Sequence, residues 1–151
     1  MTKMDIEYKI MKNTPENALY VERMRYKAYG VQKLIDPTEE DFMEDIIDGS
    51  FLVFLCLIEG KPASACYISN FNASLYVEYL FTLPEYQSRK LYLGKQLLQY
   101  ILDNKEIVEE YFHQKFKKSS LCPGTNKIVP LYTSLGYQRE RQDSVILSKK
   151  I

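Results

Sequence analysis

Histidine is nearly absent from this sequence: the only one is His113, in a stretch of ambiguous periodicity. Cysteine is scarce too, with Cys56, Cys66 and Cys122 odd in number, widely spaced and without a CxxC pair. That pattern fits neither a disulfide framework nor a zinc site, and no Cys–His pairing can be argued for a thiolate nucleophile. Reducing cytosol is the simplest home. An excess of one charge is also missing, because 20 basic and 20 acidic side chains cancel to a formal charge of zero. No global field then draws the chain to nucleic acid or to an anionic membrane, and neither is expected as a partner. Long apolar runs are lacking as well. The longest, Phe51 to Ile58, is far too short to span a bilayer, and Met1 to Glu7 mixes charged with apolar residues from the start, unlike a secretory leader. There is no internal repeat, low-complexity tract or Gly/Ser/Pro linker. The expectation is a single soluble, cytoplasmic domain over residues 1–151 without a metal, long enough to bury its own core.

What is present is a clear succession of strand and helix signals. Ile6 to Met11 reads as a strand, and Thr14-Pro15-Glu16 supplies an N-cap hydroxyl, a proline at the first helical position and a first-turn acid. The helix that follows has Tyr20, Val21, Met24 and Ala28 on its apolar face and stops at Gly30. Asp36-Pro37-Thr38-Glu39 repeats the start signal, with Phe42, Met43, Ile46 and Ile47 as the buried stripe up to Gly49. Residues 51–58 predict a strand buried on both faces, and Glu59-Gly60-Lys61-Pro62 turns it into a hairpin with Ala63 to Ser69. Ser74 to Thr82 is a further strand, closed by Leu83-Pro84-Glu85. Leu91 to Asp103 predicts the longest amphipathic helix. Lys105 to Lys118 reads as a short helix and a loop, Ser119 to Cys122 as a strand, Asn126 to Leu135 as a helix ended by Gly136, and Tyr137 to Arg141 and Val145 to Lys149 as two closing strands.

Two segments carry a resemblance. One is Tyr79-Leu80-Phe81-Thr82-Leu83-Pro84-Glu85-Tyr86 running into Arg89-Lys90-Leu91-Tyr92-Leu93-Gly94-Lys95; the other is Leu131-Tyr132-Thr133-Ser134-Leu135-Gly136-Tyr137. Together, in this order and spacing, they resemble the GNAT superfamily of CoA-dependent N-acetyltransferases. The resemblance implies an α/β (α+β) fold with a mixed, mainly antiparallel central sheet and helices on both faces. It implies acetyl-CoA as co-substrate, no metal, and direct transfer of the acetyl group, in a ternary complex, to a primary amine of a small molecule or peptide. The same fold also serves non-catalytic acyl-CoA-binding or partner-binding modules, and exposed sheet edges in it support homodimers.

The resemblance also assigns residues. The family pattern of Arg or Gln, two residues, Gly, one residue, and Gly or Ala aligns with Arg89, Tyr92 and Gly94, or starts from Gln87 with a longer loop. Arg89, Lys90, Leu91, Tyr92, Leu93, Gly94 and Lys95 would then present helix N-terminal N–H groups and positive charge to the CoA pyrophosphate. Tyr92 departs from the pattern's first glycine. Phe81 and Thr82 match positions whose backbone binds the pantetheine arm, and Asn126, or Thr125 beside it, matches a polar position near that arm. Tyr132 matches the tyrosine that protonates the departing thiolate, a phenol of reference pKa about 10 serving a thiol of about 8.5. Glu78 is the candidate general base; alternation puts it on the face of Tyr76 and Leu80, while the resemblance implies that this strand bulges and splays from the next one, which changes the facing beyond the bulge. The acidic stretch Asp36, Glu39, Glu40, Asp41, Glu44, Asp45 and Asp48 reads as the solvated face of a helix or as an attractor for a cationic amine.

Overall fold

Seven consecutive apolar residues can all be buried only if both faces of their strand are covered. In the computed structural model, which describes residues 4–30, 42–87, 92–124 and 126–151, Leu52–Ile58 forms strand β2 with every residue buried. Ile6–Ile10 (β1) and Lys61–Phe71 (β3) flank it, both antiparallel. Glu59 and Gly60, with φ of 51° and 80°, supply the left-handed pair that a two-residue hairpin needs. Asn72 and Ala73, at 52° and 59°, make a similar turn without glycine and lead into Ser74–Thr82 (β4). Lys118–Leu121 (β5) lies parallel to β4. Gln138–Arg139 (β6) and Leu147–Lys150 (β7) complete a seven-stranded sheet of order β1-β2-β3-β4-β5-β7-β6. The sheet is mixed and mainly antiparallel, as expected.

Helices cover both faces. Pro15–Ala28 (α1) and Met43–Ile47 (α2) pack on one, where Val21, Met24 and Ile46 meet Val53 and Leu55 of β2. Pro84–Gln87 (α3), a short helix where only a turn was expected, precedes Leu93–Asp103 (α4). Lys105–Phe112 (α5) and Val129–Ser134 (α6) follow. Leu97, Leu98 and Ile101 of α4 pack with Leu52, Phe54 and Cys56 on the other face. The Thr14 hydroxyl accepts the Asn17 N–H at 3.2 Å, as its place before Pro15 predicts. Among the described residues no helix is long and apolar enough to cross a membrane.

Several expected boundaries shift. The final strand starts at Leu147, with Val145 exposed, and the strand before it omits the buried Tyr137. Residues Asn126–Ile128 form a 3-10 turn ahead of α6. Ile47 is exposed and only Ile46 of its stripe is fully buried. The expected start of that helix, Asp36-Pro37-Thr38-Glu39, lies outside the described residues.

The largest surprise is on α1. Tyr20, expected inward, is 51% exposed, and the carboxylate of Glu22 is fully buried. Glu22 is held from four directions: by Arg25 Nε at 2.8 Å and Nη2 at 3.1 Å, by the Tyr67 hydroxyl of β3 at 2.7 Å, and by the Phe42 N–H at 2.9 Å. Burial alone would discharge Arg25, but the hydrogen bond and charge of Glu22 outweigh it and hold the guanidinium firmly protonated. That guanidinium lies 5.2, 5.0 and 4.9 Å from the ring centres of Tyr26, Phe42 and Tyr79. A periodicity rule counts apolar residues and does not see a carboxylate this well satisfied. Deleting one partner strands the other charge, so Glu22→Ala should cost about 3–5 kcal/mol in urea unfolding. Glu22→Met combined with Arg25→Met should cost clearly less; a double variant as damaged as the single one would show that shape, not charge, governs this layer.

Candidate active site

The register between β3 and β4 runs Tyr67 opposite Tyr79 and then Ile68 opposite Val77, so Glu78 is the extra residue of a β-bulge. The bulge reverses the facing of everything beyond it. Leu75, Val77 and Leu80 join the α4 core, while Tyr79 and Phe81 join the α1 core. Simple alternation, which set Glu78 beside Leu80 on one face, therefore fails at this residue. The Glu78 Oε1 accepts a hydrogen bond from Ser69 Oγ at 2.7 Å.

Beyond the bulge β4 also parts from its neighbour. β5 pairs only with Leu75, Tyr76 and Val77, so among the described residues no strand lines the β5 side of β4 from Glu78 to Thr82. The Leu83 N–H donates to the Ala63 carbonyl at 2.9 Å. Antiparallel alternation then turns the backbone groups of Phe81 toward β3 and those of Leu80 and Thr82 toward the gap. Of Phe81 and Thr82, it is Thr82 whose backbone groups face the gap. Phe81 instead accepts Ser64 Oγ on its carbonyl at 2.7 Å and brings only its side chain to the groove. Side chains stand at the open carbonyls: Gln87 Nε2 donates to that of Thr82 at 2.6 Å, and the Tyr29 hydroxyl lies 3.5 Å from that of Leu80.

The N-terminus of α4 borders this edge. Its first-turn N–H groups, on Leu93, Gly94 and Lys95, have no acceptor within the helix. Tyr92, the residue that replaces the pattern's first glycine, caps the helix at φ 52° and ψ 42° and is 66% exposed. It thus keeps the left-handed backbone that glycine would adopt, at about 1–2 kcal/mol. A Cβ on Gly94 would sit 3.6 Å from Leu80 Cγ and Thr82 Oγ1, in ordinary contact. Gly94, Lys95, Leu93, Tyr92, Gln87, Thr82 and Phe81 all line a groove of about 360 Å³. Arg89, Lys90 and Leu91 lie outside the described residues.

A second cavity, of about 550 Å³, opens where β4 and β5 part, and it shares Tyr29, Leu80 and Ile128 with the groove. Glu78 and Tyr132 both line it, as do Arg25, Tyr76, Tyr79 and Cys122. Tyr132 is buried on α6, edge-on to Tyr137, and burial first, then the neighbouring Cys66, Tyr29 and Tyr137, raise its pKa well above the ordinary phenol value. Asn126 is exposed and on the wall of neither space, and Thr125 lies outside the described residues. His113 ends α5 and lines neither. Glu44 and Asp48 border a separate depression with Met43 and Ile47. No group of three metal-ligating side chains occurs among the described residues. Sequence reasoning missed Tyr29, Arg25 and Tyr79 as wall residues; Tyr29, directly before the helix-stopping Gly30, was the one with a local signal.

No protein-family model matches the chain, and no curated protein matches it by sequence. Solved structures do. The ribosomal-protein-S18-alanine N-acetyltransferase of Escherichia coli superposes with a TM-score of 0.70 at 16% identity, covering 97% of this chain and 94% of that one. The PaiA N-acetyltransferase of Thermoplasma acidophilum, solved with coenzyme A, gives 0.65 at 16% identity over 98% and 100%. Arabidopsis thaliana Naa50, solved with the bisubstrate analogue CoA-Ac-MVNAL, gives 0.63 at 13% identity over 97% and 99%. The chain has the GNAT acetyltransferase fold.

Replacing Tyr92 by glycine would relieve the left-handed strain but add about 0.4–1 kcal/mol of unfolded-chain entropy. Tyr92→Gly should therefore leave stability unchanged or raise it by up to about 1 kcal/mol in thermal or urea unfolding. A clear loss would mean that the exposed ring makes contacts which hold the helix start.

Proposed function

We propose that this chain transfers an acetyl group from acetyl-CoA to a primary amine, directly within a ternary complex. The observation that carries the reading is a groove and a cavity that adjoin at Tyr29, Leu80 and Ile128. The start of α4, whose first-turn N–H groups have no acceptor within the helix, and Leu80–Thr82, which no described strand pairs on the β5 side, line the groove, while Glu78 and Tyr132 wall the cavity. Gly94 leaves the groove wall without a side chain, which suits close approach of a phosphate-bearing ligand to backbone.

In this reading the α4 N-terminus and Lys95, with Arg89, Lys90 and Leu91 of the loop before it, hold the pyrophosphate. The amide groups of the pantetheine arm pair with Leu80 and Thr82 as an added strand would, and Gln87 gives up the Thr82 carbonyl as they do so. An N–H on this edge polarises the thioester carbonyl. The acceptor reaches neutral solution mostly as an ammonium, with a pKa of about 10.4 for a lysine-like amine. Glu78, held by Ser69, takes its proton; the freed lone pair attacks the thioester carbon, and the C–S bond breaks. Tyr132 gives its hydroxyl proton to the departing sulfur, and the second proton of the acetylated nitrogen returns to the Tyr132 oxygen, directly or through water, which leaves a neutral amide, a free thiol and the first proton on Glu78 for release to solvent. Because its pKa is raised, Tyr132 keeps that proton throughout the neutral range and beyond.

Isothermal titration should show acetyl-CoA binding to the wild type and its loss in Gly94→Glu; a wild type that does not bind overturns the reading. Glu78→Gln and Tyr132→Phe should each keep acetyl-CoA binding and lower kcat by about 10²–10⁴-fold. The sign of the Tyr132 shift adds a pH test. Its protonated form should persist to above about pH 10, so no loss of rate below that pH should disappear in Tyr132→Phe.

A further inference from the structure

Resting on the acetyl-transfer reading, we infer that Tyr29 is a further catalytic residue, whose hydroxyl donates a hydrogen bond to the thioester oxygen of the bound donor as that oxygen gains charge. The inference starts from where the two spaces meet. Tyr29, Leu80 and Ile128 line both the groove of about 360 Å³ and the cavity of about 550 Å³. An acyl group carried by a ligand in the groove meets an acceptor in the cavity at this junction. Leu80 and Ile128 bring hydrocarbon side chains to it, and Tyr29 brings a hydroxyl.

Backbone and ring contacts bring that hydroxyl to the strand edge. Tyr29 caps α1, and its N–H donates to the Arg25 carbonyl at 3.1 Å. Its ring stands edge-on to Tyr79 with centres 6.1 Å apart and tilted against Phe81 at 6.0 Å, the two residues that the β4 bulge turns to the α1 side. The hydroxyl ends 3.5 Å from the Leu80 carbonyl, at the outer limit of a hydrogen bond. Such a donor moves readily to a better acceptor. The N–H and C=O of Leu80 leave the strand on the same side, so an oxygen held by that N–H lies beside the carbonyl that Tyr29 already approaches. A pantetheine amide that takes the Leu80 carbonyl leaves the hydroxyl to the thioester. Burial first, then Tyr79, pushes the Tyr29 pKa up to about 12, so the hydroxyl keeps its proton at neutral pH. When the amine nitrogen adds to the thioester carbon, the C=O π pair moves onto oxygen. The Tyr29 O–H and the Leu80 N–H hold it there by hydrogen bonds, with no proton transferred, and the pair returns as the C–S bond breaks.

The test reads the carbonyl itself. Infrared difference spectra of acetyl-CoA isotope-labelled at the acetyl carbonyl should show its stretch at lower wavenumber on the wild type than free in solution. Tyr29→Phe keeps the ring and its contacts, and should lose part of that displacement while calorimetry shows unchanged CoA binding. With an equimolar mixture of spermidine, 2-phenylethylamine and a tetrapeptide amide with a free N-terminus, thiol release by Tyr29→Phe should slow by about 10²–10³-fold, the usual cost of one oxyanion donor. A stretch and a rate that match the wild type overturn the role of Tyr29 and leave acetyl transfer standing. A slower rate with the wild-type stretch assigns Tyr29 to the acceptor instead and overturns the carbonyl contact. A wild type that does not bind acetyl-CoA, or binds it and releases no thiol with these amines, overturns both.

Discussion

A half-buried strand edge has to find partners for its N–H and C=O groups, and among the described residues one strand loses its neighbour partway along. β4 is paired by described strands on both sides at Leu75–Val77 and on one side only after Glu78. Unmet backbone groups are costly away from water, and the molecule answers with side chains: Gln87 at the Thr82 carbonyl and Tyr29 near that of Leu80. These stand-ins are single contacts at the ends of side chains, whereas a neighbouring strand would be fixed. The edge is therefore closed by contacts that a side-chain rotation can release. α4 starts beside it because the chain turns through Pro84–Gln87 at the end of the same strand. The start of α4 and the open edge of β4 thus lie side by side as consequences of one strand's divergence.

The second support is the ion pair under α1. A fully buried carboxylate is tolerable only when its lone pairs are filled, and Glu22 receives donors from its own helix, from β3 and from the chain entering α2. Arginine suits the site where lysine would not, since its planar fork gives two bonds to Glu22 while its faces lie against aromatic rings. The energetic return is modest by the usual measure of buried ion pairs, but the geometric return is large. α1 is fixed in rotation against β3 and β4, which puts Tyr29 at the joint between groove and cavity and Arg25 on the cavity wall. The side chains that fix α1 thus also shape the walls of the groove and the cavity.

Much of this was readable from the chain alone. The seven apolar residues of β2, the Thr14-Pro15 start of α1 and the leucine stripe of α4 fall where local periodicity and capping put them. So does the order of elements that underlies the fold. Glu78, Tyr132 and the run from Tyr92 to Lys95 stand out in the sequence, and the structure puts the first two on one cavity wall and the run at the start of α4. Tyr92 reads as a break in a glycine pattern, and only the backbone, at φ 52°, shows that the required conformation survives the substitution.

What the sequence by itself determined is which residues are buried in strands and helices and where each element begins, because those follow from near neighbours and from a period of two or 3.6. What only the tertiary structure decided is direction. The extra residue at Glu78, the choice of Leu80 over Phe81 as the open backbone position, the inward turn of Glu22 and the meeting of Tyr29, Tyr79 and Arg25 around one cavity depend on strand register and helix rotation. Those are settled by contacts between residues far apart in the chain, and a pattern read along one dimension carries no record of them.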